Sequence, residues 1–99
     1  MNNKTDKTNL GYLGEDFQYK LVHAFLEEKE FFKDLYEITD QNMFTNPNLK
    51  LCVGIMKEYF EKHESVPSYE TISIILREKI HNPVDLEVYF GELAQLKNT

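Results

Sequence analysis

Apolar residues recur at steps of three and four along most of this 99-residue chain, and that spacing predicts α-helices. The first predicted helix covers 15–28 and the second covers 30–38. In the first helix the inward face is expected to consist of Phe17, Leu21, Ala24 and Phe25, widened by Tyr19, Val22 and Leu26. In the second helix packing is expected from Phe31, Leu35 and Ile38, with Phe32 and Tyr36 on an adjoining face.

Three polar residues indicate where the later helices begin. Asn46 and Asn82 are each followed by a proline, a pair typical of a helix cap and the first helical residue. Ser68 follows a proline and can cap another helix. We therefore expect helices over 47–63, 69–79 and from 83 onward. Because no sustained period-two alternation is present, the predicted fold is all-α, a compact bundle of about five to six short helices.

The third and fifth predicted helices carry more apolar residues than one core-facing stripe requires. Met43 and Phe44 are expected to fill the core from a loop. The main faces are formed by Leu49, Cys52, Val53, Met56, Tyr59 and Phe60 and by Leu86, Tyr89, Phe90, Leu93 and Leu96. A second apolar face is formed by Leu51, Ile55, Val84 and Val88. These four residues are the predicted partner interface, although cover by neighbouring helices of the same domain would explain them equally well.

Length and composition indicate one domain over 10–99, preceded by a flexible polar tail over 1–9. A hydrophobic fraction of 41% is enough to bury a core. The net charge of -6 disfavours direct DNA binding, since the phosphate backbone would be repelled. No apolar run reaches the roughly 20 residues that span a bilayer, so no membrane contact is expected. The single Cys52 excludes an internal disulfide, and we expect a cytoplasmic location.

No catalytic, cofactor-binding or metal-binding residues are expected within the chain. A glycine-rich phosphate loop is missing from the sequence, and Cys52 occupies an apolar helix face, where a core role is favoured. Glu78 and His81 are three residues apart and form one Glu-x-x-His motif. A carboxylate-bridged dimetal site requires two such motifs. The alternative of a small metal-dependent enzyme built on these two residues stays open. The acidic cluster formed by Glu27, Glu28 and Glu30 is expected to be a solvated charge run, and His23, His63 and His81 are expected to be structural.

The order of these features resembles the N-terminal domain of DnaB-like replicative hexameric DNA helicases. In that family an acidic residue and an apolar helix precede an aromatic-rich short helix, a loop ending in Phe, a polar turn and a long helix. A loop with Pro and a helix that closes with an apolar pair follow. The matching segments of this chain are 15–26, 31–38, 43–44, 46–48, 49–60, 65–68, 71–76 and 89–93. The family's His after the polar turn is replaced by the segment 48–50, which indicates a phage-type or divergent version.

The resemblance implies an accessory domain whose ATPase motor, with its ATP and Mg²⁺, would lie beyond Thr99. Such domains help to assemble the helicase ring through self-association and contribute contacts to primase and to the helicase loader. A second hypothesis is a free-standing helical adaptor or regulator that acts through contacts with an unrelated protein. The coding sequence after Thr99 would distinguish the two hypotheses.

Overall fold

The computed structural model describes residues 10–99, so the predicted tail over 1–9 lies outside the described residues. Five α-helices follow one another and confirm the all-α prediction: α1 (Glu15–Glu27), α2 (Lys29–Leu35), α3 (Pro47–His63), α4 (Tyr69–Lys79) and α5 (Pro83–Lys97). Short 3₁₀ helices lie at Gly11–Leu13, Tyr36–Ile38 and Gln41–Met43. No β-strand occurs in the described part of the chain.

The predicted caps are present and explain why the last three helices begin where they do. The Asn46 side-chain oxygen accepts hydrogen bonds from the backbone N–H groups of Asn48 at 2.8 Å and Leu49 at 3.3 Å. Asn82 caps α5 in the same way. The Ser68 hydroxyl accepts a hydrogen bond from the N–H of Thr71 at 3.1 Å. Each side chain satisfies backbone donors that the first helical turn leaves unpaired.

The core lies where α1 packs against α2, α3 and α5, and α4 packs against α3 and α5. Phe44, in the connection before α3, is fully buried, which confirms that the loop contributes to the core. The buried apolar side chains belong to all five helices and to two connections: Tyr19, Val22, Phe25, Leu26, Phe32, Phe44, Leu49, Cys52, Val53, Ile55, Met56, Val66, Ile72, Leu76, Leu93 and Leu96.

The buried face of α1 is rotated from the predicted one. Phe17, expected in the core, is exposed, whereas its neighbour Gln18 is completely buried. The buried amide is tolerated because it exchanges hydrogen bonds with Thr45, a partner far along the chain. The prediction that Phe17 heads the core face was therefore wrong.

A similar correction applies to α2, where Phe32 is buried and both Phe31 and Ile38 are exposed. The α-helix ends at Leu35, and the next three residues form a 3₁₀ helix. The tighter 3₁₀ turn breaks the 3.6-residue periodicity before Ile38, so the prediction that Ile38 packs was wrong. Phe31 packs only at the edge of the core, where its ring centre lies 5.6 Å from that of Phe25.

Candidate protein-contact surface on helix α5

Helix α5 divides into an inner side and an outer side. Leu93 and Leu96 on the inner side are buried, and Leu86, Tyr89 and Phe90 are partly buried against the core. This is the face that the sequence predicted to pack inward. The inner side is also fixed to α1, because the Tyr19 hydroxyl donates a hydrogen bond to the Glu92 carboxylate. The orientation of α5, and hence of its outer side, is therefore set by the core.

The outer side of α5 carries a stripe of residues, apolar at Val84 and Val88, that the domain itself leaves uncovered. Val84 is 72% exposed and Val88 is 52% exposed. Gly91 and Gln95 continue the stripe at steps of three and four residues, and both are exposed. A Cβ placed on Gly91 would meet no atom within 4 Å, so the backbone there is open to close approach from outside. We call Val84, Val88, Gly91 and Gln95 the outer stripe.

Two members of the outer stripe were missed by the sequence prediction, which considered only large apolar side chains. Gly91 and Gln95 lie one and two turns beyond Val88 on the same face. The signal that could have found them is the continuation of the spacing from Val84 through Val88. A glycine on such a face matters because it has no side chain to hold a second helix away.

The other half of the predicted interface, on α3, is not an open face. Ile55 is only 2% exposed and belongs to the core, and Leu51 is partly buried against that core. On this part of α3 the 3₁₀ helix Gln41–Met43 packs against the helix, with the Gln41 side chain beside Gly54. Ile55 is therefore covered within its own domain, which is the alternative that the sequence left open. The structure separates Leu51 and Ile55 from the exposed pair on α5.

The remaining exposed large apolar side chains are distributed over other elements. Leu13, Phe17, Phe31, Ile38 and Ile74 are exposed to various degrees. Each α-helix other than α5 carries at most one such residue among those described. Isolated apolar side chains are normal on protein surfaces, whereas a shared face is typical of a contact surface. Helix α5 is therefore the best candidate.

The side chains that could take part in catalysis or metal binding are the cysteine, the histidines and Glu78, and their positions in the fold are as follows. Cys52 is buried, and burial raises the pKa of its thiol to about 12, so the reactive thiolate is suppressed at neutral pH. His23 Nδ1 lies 2.6 Å from the Leu96 carbonyl oxygen, which can only accept, so the ring nitrogen donates. Glu78 lies in the last turn of α4, while His81 lies in the linker after it, so the two do not share a helix face. Within residues 10–99 no group of three or more His, Cys, Asp or Glu side chains is placed to hold a metal ion.

None of the helices in the described range combines the length and the apolar character needed to cross a membrane.

Comparison with known proteins finds no matching protein-family model, no matching curated protein and no matching solved structure.

Proposed function

We propose that this chain is the non-catalytic N-terminal domain of a DnaB-like replicative DNA helicase, which acts in the cytoplasm. Its role is to assemble the helicase ring by self-association and to contribute contacts to primase or to the loader. The observation that carries the proposal is the outer stripe of α5, an exposed apolar face on an acidic, all-helical domain. The resemblance in the order of sequence features supplies the family.

The spacing of the outer stripe is compatible with self-association about a two-fold axis. A two-fold axis at the middle of the stripe would cross two copies of α5 in antiparallel orientation. Val88 of each copy would then face Gly91 of the other, and Val84 would face Gln95. Because Gly91 has no side chain, the valine can approach the opposite backbone closely. The outer stripe therefore contains both the Val88 side chain that would insert and the Gly91 backbone against which it would pack.

The charge of the domain also suits a protein partner better than DNA. A net charge of -6 opposes the approach of a phosphate backbone, because few cations are available to replace its counterions. Protein interfaces are less sensitive to such a charge, since they depend on buried apolar and aromatic side chains at their centre. We therefore assign DNA binding to other parts of the proposed helicase.

The proposal is tested first by reading the coding sequence downstream of Thr99. A phosphate-binding loop followed by the other motifs of an ATPase motor would support it. The second measurement is isothermal titration of the purified domain with the primase encoded in the same genome, alongside sedimentation of the domain alone. A stop codon directly after Thr99, together with neither self-association nor primase binding, would overturn the helicase assignment and favour the free-standing adaptor.

A further inference from the structure

A second surface, a groove between α4 and α5, combines an apolar floor with unpaired cations. Its volume is about 340 Å³, near the lower end of ligand pockets, which suits one or two side chains of a partner. The groove is lined by Tyr69, Glu70, Ser73, Arg77, Phe90, Leu93, Ala94 and Lys97. We call it the α4–α5 groove.

Each end of the α4–α5 groove carries a cation above an aromatic ring. The guanidinium of Arg77 lies 5.3 Å from the centre of the Phe90 ring. The ammonium group of Lys97 lies 6.0 Å from the centre of the Tyr69 ring. Such stacking positions a cation without neutralising its charge. Neither cation forms a salt bridge within residues 10–99, so both charges are available to a partner.

The aromatic side of the groove is held in place from below. The Tyr69 hydroxyl lies 3.4 Å from His23 Nδ1, whose N–H is donated to the Leu96 carbonyl oxygen at 2.6 Å, and Tyr69 is partly buried against the core. Burial, and then the nearby Glu27 carboxylate, raise the pKa of Tyr69 to about 12. Leu93 is buried beneath the groove. The floor is therefore fixed before any partner arrives, which lowers the cost of binding.

The separation of the two ends of the groove sets the spacing that a partner needs. Tyr69 and Arg77 are eight positions apart on α4, and a rise of 1.5 Å per residue separates the two ends by about 12 Å. An extended chain covers about 3.3 Å per residue, so carboxylates four residues apart would reach both ends. The residue midway between them would lie over Leu93 and Ala94, between the two ends of the groove.

We propose that the α4–α5 groove binds an extended acidic segment of a partner protein. In this arrangement the Arg77 guanidinium and the Lys97 ammonium group bind two carboxylates four residues apart, and an apolar side chain between those carboxylates fills the floor. The inference goes beyond the proposed function, since it holds for a helicase domain and for an adaptor alike. At physiological ionic strength, charges more than about 8 Å apart are largely screened by salt. The acidic segment would therefore be attracted mainly by these two nearby cations and repelled only weakly by the domain's net charge of -6.

The test is an NMR titration of ¹⁵N-labelled protein with the peptide Ser-Asp-Ser-Leu-Ser-Asp-Ser. Amide shifts are expected to change around the groove, and the double variant Arg77→Gln/Lys97→Gln should weaken binding about tenfold. Glu70→Gln should strengthen binding, because Glu70 lines the groove and repels the peptide. Lys29→Gln removes an exposed cation on α2 and should leave the affinity unchanged.

Two further ligands make the result decisive. The same peptide with both Asp residues replaced by Asn should bind at least tenfold more weakly, and a single-stranded oligothymidylate should bind no better than that neutral peptide. Val88→Asp should bind the acidic peptide normally, so failure of the outer stripe and failure of the groove are distinguishable. Equal binding of the acidic and neutral peptides, or tighter binding of the oligonucleotide, would overturn the proposal.

Discussion

Gln18 and Thr45 exchange two hydrogen bonds across 27 positions of the chain. The Gln18 amide nitrogen donates to the Thr45 hydroxyl at 2.9 Å, and the Thr45 backbone N–H donates to the Gln18 carbonyl oxygen at 3.0 Å. The Gln18 side chain is 0% exposed. This pair ties α1 to the connection that precedes α3, the same connection that places Phe44 in the core.

Replacement of Gln18 by alanine should therefore destabilise the domain. Gln18→Ala removes both hydrogen bonds and leaves a cavity, and we expect the free energy of unfolding to fall by about 2–4 kcal/mol. Urea unfolding followed by circular dichroism measures the change. Glu87→Ala, which shortens a side chain of similar length at an exposed position of α5 outside the outer stripe, is the control and should change stability by less than about 0.5 kcal/mol. Equal effects of the two substitutions would show that the buried pair is unimportant.

The aromatic cluster around α2 gives a graded prediction. The Phe32 side chain is 0% exposed, and its ring centre lies 5.1 Å from that of Phe25 and 5.8 Å from that of Phe60. Phe32→Ala should lower the free energy of unfolding by about 3–5 kcal/mol. Phe60 is only partly buried, so Phe60→Ala should cost less, about 2–3 kcal/mol. Thermal and urea unfolding would contradict this ordering if Phe60→Ala proved the more damaging substitution.

Stability should decrease at alkaline pH. Burial raises the pKa of Cys52 from 9.0 to about 12, and burial followed by Glu92 raises that of Tyr19 from 10.0 to about 12. In both cases the folded state retains the proton that the unfolded chain loses first. The unfolded chain therefore binds fewer protons above about pH 9, and the free energy of unfolding falls as pH rises towards 12. Below pH 9 these groups contribute no pH dependence.

The variant Cys52→Ala separates the thiol from the tyrosines. In the wild-type protein Cys52 should contribute a decrease of about 1.4 kcal/mol per pH unit between pH 9 and pH 12. Urea unfolding at successive pH values should show the decrease beginning near pH 9 in the wild type and near pH 10 in Cys52→Ala. The same onset in both proteins would contradict the assignment to the buried thiol.

Helix beginnings were predictable from the sequence because their causes are local. Asn46, Ser68 and Asn82 cap helices through hydrogen bonds to residues two or three positions away, and the order of residues contains that information. The bounds of α4 agree with the prediction at both ends. The all-α class follows from the same local signals, together with the helical spacing of apolar residues.

Buried faces and the candidate surface were less predictable, because they depend on residues distant in the chain. Gln18 is buried through Thr45, and the 3₁₀ helix Gln41–Met43 packs on α3 beside Gly54, the neighbour of the buried Ile55. Neither contact is visible in the periodicity of a single helix. Val84 and Val88 were predicted to lie on the side of α5 opposite its inward face, and both are exposed. In the described residues no later element packs over them. Their contact with a partner stays a prediction.

The most direct test of that prediction is sedimentation velocity of the wild-type protein and Val88→Asp over a range of concentrations. Ile74→Asp is the matched control, since Ile74 on α4 is also 52% exposed but lies outside the outer stripe. We expect the wild type and Ile74→Asp to self-associate, and Val88→Asp to remain monomeric with unchanged helicity by circular dichroism. A wild-type protein that stays monomeric at every concentration, or Val88→Asp and Ile74→Asp behaving alike, would contradict the assignment of α5 as the contact surface.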